Sequence, residues 1–340
     1  MNNEPKVYIL HENSAWVEPL RIELSEKGIP FEEWFLSEGT VDLNAIPPEG
    51  VFYNRMSASS HTRDHRYAVE LTESIIAWLE RHGRRVVNDR RAIQLEVRKS
   101  EQYLELNKVG VKTPDTIATV GKQQLLDAAE KFRGRPFITK PNRGGKGLGV
   151  QLFRTPEALQ DHVQKLEFDF ETIGGVMLLQ EYIQPCEPFI TRLEFVGGQF
   201  YYAVRVDTSG GFELCPADSC QVGEDFCPTT STQHKFELVP DYNIPEIPLL
   251  EAFLERNGIE IGAVEVVENA EGERFFYDVN INTNYNSEAE ARNADKVKGM
   301  RQIASFLGGE LEKLKATALV TSNPAYLPAE AIEWNGWSAN

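Results

Sequence analysis

The feature that most constrains the fold is a glycine-rich segment between two short apolar runs, residues 135–153 (RPFITKPNRGGKGLGVQLF). A strand predicted at residues 136–139 leads into Lys140, and a second strand is predicted at residues 150–153. Between them lie four glycines in six residues, Gly144, Gly145, Gly147 and Gly149. Closely spaced glycines let backbone N–H groups approach an anion, and the lysine supplies a counter-charge for phosphate. We therefore predict a flap between two antiparallel strands that folds over a nucleoside triphosphate.

Two common phosphate-binding motifs are excluded by the residues that follow the glycines. Lys146 is followed by Gly147 rather than by Ser or Thr, and the loop returns into a strand instead of opening a helix. A P-loop needs the hydroxyl residue, and a dinucleotide-binding fingerprint needs the helix. A glycine-rich hairpin without a ligand would have a similar sequence, so the flap alone does not decide the function.

Composition limits the class of protein. The chain has 340 residues, of which 41% are hydrophobic and 26% charged, and this predicts an ordinary globular protein of two or three domains. No apolar run is long enough to span a bilayer, and the first residues do not have a signal-peptide pattern, so we expect no membrane partners. Four cysteines in a chain of this length do not form a disulfide framework, so we expect a reducing, cytoplasmic location. A formal charge of −17 argues against general nucleic-acid binding.

Strand and helix patterns alternate through residues 6–95. Strands are predicted at residues 6–10, 31–36, 50–54 and 85–88, and helices at residues 15–27 and 67–81. This alternation is typical of a parallel α/β sheet, in which ligands bind beyond the carboxyl ends of the strands. The third strand is followed by candidates for binding a substrate carboxylate or phosphate, Arg55, Ser57, Ser60 and Arg63. The serines could instead only cap the next helix.

Three further elements carry candidate binding groups. One helix is predicted over residues 91–108, carrying Lys99. The apolar strand at residues 175–183 ends in a polar hinge whose backbone could pair with an adenine edge, or which could be an ordinary strand terminus; the hinge residues are Gln180, Glu181, Tyr182 and Ile183. A hairpin is predicted at residues 193–206, with Arg192 and Arg205 near the outer ends of its strands. We expect these two guanidinium groups to converge on one anionic target.

A second hairpin, at residues 261–267 and 274–282, contains an unusual set of oxygen ligands. Glu265 interrupts an apolar strand, and Asp278 and Asn280 lie two residues apart on the partner strand, so both point the same way. Such a cluster suits Mg²⁺ bound to phosphates. The alternative is a solvated face on an edge hairpin.

Cysteines suggest a second metal site. Cys215, Cys220, Cys227 and His234 could bind zinc, although their spacing is wider than in usual zinc sites, and we prefer unpaired thiols in a loop.

In order and spacing, these motifs resemble those of ATP-grasp ligases of the ribosomal-protein glutamate ligase (RimK) type. The resemblance rests on Lys99, Lys140 with its flap, LLQEYI, Arg192, Glu265 and DVN, and it covers residues 97–282. It implies an α/β chain with the ATP-grasp fold, in which two α+β subdomains sandwich the nucleotide. The expected divisions are a pre-ATP-grasp domain at 1–95, a central subdomain at 96–183, a C-terminal subdomain at 184–310 and a tail at 311–340.

The resemblance also implies roles for single residues. Lys99 and Lys140 would contact the phosphates of ATP, and the flap with Lys146 would close over them. The hinge would hold adenine, Glu265, Asp278 and Asn280 would bind Mg²⁺, and Arg192 would steady the transferring phosphoryl group. Two positions depart from the family pattern. Ile190 stands where an acid usually contacts the ribose, so either Glu187 takes that role or the contact is missing. The segment that usually helps with acyl-phosphate chemistry is not evident, and Arg205 could substitute for it.

The predicted function is an ATP-dependent carboxylate–amine ligase that acts on amino acids or peptides through an acyl phosphate. One alternative keeps the nucleotide site but makes the protein a phosphotransferase. Another is a nucleotide-binding protein without catalysis. Homo-oligomers are possible in each case.

Overall fold

A computed structural model describes residues 4–145, 147–165, 172–209, 235–239, 241–293 and 298–322. In the described residues the strands are β1 Lys6–His11, β2 Phe31–Phe35, β3 Gly50–Asn54, β4 Arg85–Val87, β5 Thr116–Thr119, β6 Phe137–Pro141, β7 Gln151–Phe153, β8 Met177–Glu181, β9 Phe189–Val196, β10 Gln199–Asp207, β11 Phe236–Val239, β12 Ile261–Glu268 and β13 Arg274–Asn280. The α-helices are α1 Ser14–Glu26, α2 Ala68–Arg81, α3 Arg90–Glu96, α4 Lys99–Lys108, α5 Lys122–Ala129, α6 Pro156–Gln164, α7 Ile247–Arg256, α8 Ser287–Ala291 and α9 Gly299–Ser322.

The N-terminal sheet is parallel, as the alternating pattern predicts, with strand order β2-β1-β3-β4. Successive side chains of β1 point to opposite faces, and both faces are covered. Val7 and Ile9 pack with α1 and α9, whereas Tyr8 and Leu10 pack with α2. Burial on both sides explains why β1 is a continuous apolar run rather than an alternating one.

Helix α9 differs from its prediction. A tail is expected from residue 311, but α9 runs unbroken from Gly299 through Ser322. Leu307 and Leu311 are buried against α1 and the N-terminal sheet. The C-terminal helix therefore completes the N-terminal layer, and the boundary at residue 311 falls inside an element. No helix in the described part of the chain has both the length and the apolar character needed to cross a membrane.

The central sheet has strand order β5-β8-β6-β7 and carries the predicted flap between the antiparallel strands β6 and β7. One face of this sheet packs on α5 and α6 through a core that includes Phe132, Phe137 and Leu159. This core is separate from the two larger ones, so the flap-bearing sheet packs as its own layer.

The single helix predicted at residues 91–108 is wrong. It breaks at residues 97 and 98, so that Lys99 is the first residue of α4. The break is stabilised by Asn142, which follows β6: its carbonyl accepts from Lys99 N at 3.2 Å, and its Oδ1 accepts from Ser100 N at 2.9 Å. These amides would otherwise be unsatisfied at a helix start. The new helix places Lys99 next to the flap.

The C-terminal sheet has strand order β11-β10-β9-β12-β13. Its β9–β10 hairpin turns at Gly197 and Gly198, whose φ angles of 67° and 73° favour glycine. Arg192 pairs with Val204, and Arg205 lies opposite Thr191. Because paired residues share a face and successive residues alternate, Arg192 and Arg205 project from opposite faces. The expected convergence of the two guanidinium groups is therefore wrong.

Candidate active site

A cavity of about 380 Å³ is lined by residues of the central and C-terminal sheets and by the N-terminal loop after β3. Many of its lining residues are among the predicted site residues: Ser57, Lys99, Lys140, Gly144, Gly145, Gly147, Gln180, Glu181, Tyr182, Ile183, Arg192, Glu265, Asp278 and Asn280. The segments that the sequence separates by more than 200 positions thus meet around one space. Lys140 and Asp278, from the two predicted halves of the site, share it.

Three oxygen-bearing side chains form the floor of this cavity. Glu265 pairs directly with Asp278 across β12 and β13, and Asn280 Nδ2 donates to Asp278 Oδ2 at 3.3 Å. Burial and the charge of Asp278 raise the pKa of Glu265 to about 7. Two carboxylates this close in a buried site are stabilised by positive charge. The donor set, two acids and an amide oxygen, fits the oxygen-only coordination that Mg²⁺ prefers.

Two lysines lie beside these oxygens, in different electrostatic settings. Lys99 forms an ion pair with Asp278, and although burial opposes its charge, Asp278 raises the pKa of Lys99. Lys140 makes no ion pair with a described residue; its Nζ lies 3.5 Å from the Tyr277 carbonyl and 5.1 Å from the centre of the Tyr103 ring. Burial, with the neighbouring Lys99, lowers the pKa of Lys140 to about 7. An anion bound in the cavity would favour the protonated form of Lys140 and would pair with it.

The flap lies close against the N-terminal loop. A Cβ atom added at Gly145 would come within 3.3 Å of the Ser59 Cβ, and one added at Gly149 within 3.1 Å of Pro141 Cγ. Gly149 also has a φ of 76°, which side chains rarely adopt. At the base of the flap, Arg143 Nη1 donates to Glu70 Oε1 at 2.7 Å. Side chains at Gly145 and Gly149 would therefore crowd their neighbours. Lys146 lies outside the described residues.

The hinge is only partly available for a nucleotide base. Glu181 N donates to the Asp115 carbonyl at 2.9 Å, and Tyr182 N donates to the Pro136 carbonyl at 3.1 Å. Ile183 N makes no hydrogen bond with a described residue, so among the amides of residues 181–183 it is the one that could pair with adenine. Gln180 is buried and donates to Thr116 Oγ1 at 2.8 Å, which holds the end of β8 in place.

Arg192 lines the cavity and is buried among acids. Its Nε donates to Glu194 Oε1 at 2.7 Å, its Nη2 to Thr283 Oγ1 at 2.7 Å, and its Nη1 lies 3.6 Å from Glu265 Oε1. A buried guanidinium between two carboxylates is fixed in one orientation. Arg192 thus carries fixed positive charge to the edge of the oxygen cluster.

Two other predicted residues lie outside the cavity lining. Arg205 is half exposed, pairs loosely with Glu237 at 3.9 Å and stacks on Phe189. It cannot replace a site arginine, because β10 turns it to the other face. Glu187 is exposed, whereas Ile190 contacts the cavity. The structure therefore does not place Glu187 in the lining, where a ribose contact would require it.

The predicted substrate residues after β3 are mostly engaged by the protein itself. Arg55 is 1% exposed, and its Nη2 donates to residues 282–284 rather than into the cavity. Arg63 donates to both oxygens of Glu12 and stacks on Trp16. Ser60 is buried away from the lining. The prediction that Arg55, Ser60 or Arg63 binds a substrate carboxylate is therefore wrong. Of the four predicted residues, only Ser57 lines the cavity.

Sequence reasoning missed several lining residues. Glu96 is buried, and its two carboxylate oxygens accept from Ala58 N at 3.0 Å and from Ile281 N at 2.8 Å. It thereby joins the N-terminal loop to the end of β13. Asn282 and Asn284 also line the cavity, with Ser59 and Trp16. The spacing of Asn280, Asn282 and Asn284 is visible in the sequence and could have indicated one shared face.

The possible zinc ligands Cys215, Cys220, Cys227 and His234 lie outside the described residues. Among the described residues, no group of three or more His, Cys, Asp and Glu side chains is placed to hold a metal by itself. Glu265 and Asp278 have an amide as their third partner, so a site there depends on Asn280 and on ligand oxygens.

Comparison with known proteins agrees with this geometry. No protein-family model matches the chain. A solved structure, the RimK domain ATP-grasp protein from Sphaerobacter thermophilus, superposes with a TM-score of 0.62 over 88% of this chain and 98% of that one, at 18% identity. The chain has the ATP-grasp fold. The fold class and the resemblance predicted from the sequence are thereby confirmed.

Sequence relatives match parts of the ATP-grasp chain. Human N-acetylaspartylglutamate synthase A is 29% identical over 154 residues, which are 44% of this chain and 37% of the relative. The D-alanine–D-alanine ligase of Maridesulfovibrio salexigens is 25% identical over 267 residues, 70% of this chain and 82% of that one. The match thus spans little more than a third of the human synthase, and most of the bacterial ligase.

Proposed function

We propose that this ATP-grasp protein is an ATP-dependent carboxylate–amine ligase that forms an amide bond through an acyl phosphate. The observation that carries the proposal is the meeting of Lys99, Lys140, the glycine flap and the Glu265–Asp278 pair around one cavity. A site for binding a nucleotide alone would not need a buried arginine beside the acids. Arg192 supplies positive charge where a phosphoryl group would transfer.

The chemistry follows from the poor reactivity of a free carboxylate. Phosphorylation converts it to an acyl phosphate, which an amine attacks to give the amide, with ADP and phosphate released. Lys99 and Lys140 would hold the phosphates, and Arg192 would stabilise charge that develops on the transferring group. Glu265, Asp278 and Asn280 would bind Mg²⁺, which neutralises phosphate charge when bound. The flap would exclude water, so that the acyl phosphate meets the amine first.

Amino acids or short peptides are the proposed substrates. Support comes from the names of the relatives, a synthase of N-acetylaspartylglutamate and a ligase of D-alanine to D-alanine. A cytoplasmic location belongs to the proposal because the reaction consumes ATP. We also propose that residues 1–95, 96–183 and 184–310 form the three units of the fold, except that α9 (Gly299–Ser322) belongs with the first unit, on which it packs.

The experiment is a screen for ADP release with Mg²⁺ and ATP over pairs of amino acids and short peptides. Mass spectrometry would identify a product lighter than its two substrates by one water. Lys140→Ala and Asp278→Ala should abolish ADP release, whereas Lys112→Ala, at an exposed ion pair with Glu273, should not. Normal turnover by either site variant would overturn the proposal. A phosphorylated product that persists when amines are supplied would indicate a phosphotransferase.

A further inference from the structure

Three asparagines leave β13 at alternate positions, and all three line the cavity: Asn280, Asn282 and Asn284. The first donates through Nδ2 to Asp278 at 3.3 Å, which leaves its Oδ1 beside the carboxylates. Two residues of extended chain span at most about 7 Å, so the Cα atom of Asn282 lies no farther than this from that of Asn280. A small molecule bound at the oxygen cluster could therefore also reach the amide of Asn282. The next two asparagines therefore face whatever is bound beside the metal ligands.

Arg55 fixes how these two amides are turned. Its Nη2 lies 3.1 Å from Asn282 Oδ1 and 2.9 Å from Asn284 Oδ1. A guanidinium can only donate hydrogen bonds, so the atom of each amide that faces it must be the oxygen. Each NH₂ group is consequently turned away from Arg55. Neither Nδ2 makes a hydrogen bond to another described residue, although both side chains contact the cavity.

We propose that the NH₂ groups of Asn282 and Asn284 hold the acyl oxygen of the substrate, and that Arg55 is a positioning residue for both. The inference rests on the proposed ligase function and adds its acyl-binding residues. One carboxylate oxygen attacks the terminal phosphorus of ATP, the bond from that phosphorus to ADP breaks, and ADP carries the charge away. The second carboxylate oxygen becomes the carbonyl oxygen that the two amides hold.

The same amides act in the second step. When the amine adds to the acyl carbon, its nitrogen gives up a proton to solvent and the carbonyl electrons move to this oxygen, which becomes an oxyanion. The carbonyl returns when the bond from the acyl carbon to the phosphate oxygen breaks and phosphate leaves with that electron pair. Fixed N–H donors stabilise an oxyanion strongly in a site closed to water. Thr283, between the two asparagines, accepts from Arg192 at 2.7 Å, so Arg192 is tied to the same segment. Acyl oxygen and phosphoryl group would thus be held by neighbouring residues.

The test uses acetyl phosphate, the smallest acyl phosphate, and needs no knowledge of the natural substrate. It is titrated calorimetrically into the full chain with MgADP present, and MgADP binding is measured separately. Asn282→Asp and Asn284→Asp keep an oxygen for Arg55 but replace the NH₂ donor by an acceptor. Each should weaken acetyl phosphate binding at least ~10-fold, the effect of one lost hydrogen bond to a charged group. Gln199→Glu, at an exposed turn, adds the same charge and should change nothing.

Saturable binding by the wild-type protein that both aspartate variants lose, with MgADP affinity retained, supports the proposal. If MgADP binds but acetyl phosphate does not, or binds the variants equally well, the asparagine assignment is overturned and the ligase function stands. If MgADP does not bind the wild-type chain, the ligase function fails and the assignment falls with it. Should an aspartate variant fail to bind MgADP, the neutral Asn282→Ser and Asn284→Ser replace it under the same criteria.

Discussion

Lys99 and Asp278 form an ion pair inside the cavity, which joins the first turn of α4 to strand β13. Both side chains are largely buried, at 9% and 16% exposure. The proposed reaction needs each of them for another partner, Lys99 for phosphate and Asp278 for Mg²⁺. Their pairing balances two opposite charges that are largely shielded from water. When a magnesium nucleotide binds, phosphate would replace Asp278 as the partner of Lys99, and Mg²⁺ would replace Lys99 as the partner of Asp278.

Removal of Lys99 should make the fold depend on Mg²⁺. Lys99→Met leaves Asp278 beside Glu265 without its ammonium partner, and breaking a buried pair in this way typically costs about 3–5 kcal/mol. A divalent cation at the oxygen cluster would offset the repulsion between the acids. We expect the thermal midpoint to fall, and to rise more on adding Mg²⁺ than it does in the wild-type protein. Lys112→Met, at an exposed pair, is the control; equal Mg²⁺ shifts in all three proteins would contradict the metal site.

Arg192 and Arg205 form a matched pair of substitutions on adjacent strands. Arg192→Lys keeps the charge but loses the fork that contacts Glu194 and Thr283, and it should lower ADP formation by about 10²-fold. Arg205→Lys changes a half-exposed side chain on the opposite face and should leave turnover within about 2-fold. Steady-state ADP release by the two variants measures this. A comparable loss of ADP release in both variants would mean that the sheet face carrying Arg205 also contributes to the reaction.

Local patterns predicted the parts of the site that depend on short-range geometry. Alternation along a strand was enough to put Asp278 and Asn280 on one face, and the glycines around Lys140 were enough to predict the flap. These rules act over two to six residues, because backbone sterics alone set the side-chain direction. The site half contributed by β12 and β13 was therefore predictable without tertiary information.

The remaining parts depend on contacts between distant segments. Arg205 was misplaced because one residue of strand register decides which face a side chain occupies. The break before Lys99 depends on Asn142, 43 positions away in the chain, and no propensity within residues 91–108 reveals it. The sequence predicts Arg55 as a substrate ligand because an arginine after a strand is suited to anions, but its acceptors come from residues 282–284.

Glu96 should prove structurally indispensable, although it carries no catalytic role in the proposal. Its carboxylate accepts from two buried amides, Ala58 N and Ile281 N. Glu96→Ala leaves both without a partner, at roughly 1–3 kcal/mol for each. Glu96→Gln keeps one acceptor and should cost about half as much. Free energies of unfolding from urea titration would test the order, with Glu312→Ala, an exposed residue of α9, as the control. Equal stability of the alanine variant and the wild-type protein would contradict the bridging role.

Stability should fall in mild acid because of His11. This residue is 2% exposed at the end of β1, 3.3 Å from Glu33, and Arg55 and Glu12 also act on it. Burial is the largest effect and lowers the pKa of His11 below its ordinary value of 6.5, although Glu33 opposes the shift. Below about pH 6.5 the unfolded chain binds a proton that the folded chain excludes. The stabilising contribution of neutral His11 should therefore be fully present above that pH. Below it the free energy of unfolding should decrease, by at most about 1.4 kcal/mol per pH unit for one proton.

His11→Gln removes the titrating group, so the plot of its free energy of unfolding against pH, between pH 7.5 and 5.5, should be flatter than that of the wild-type protein. Denaturant titrations at several pH values measure both curves, and curves that run parallel would show that the acid sensitivity has another source.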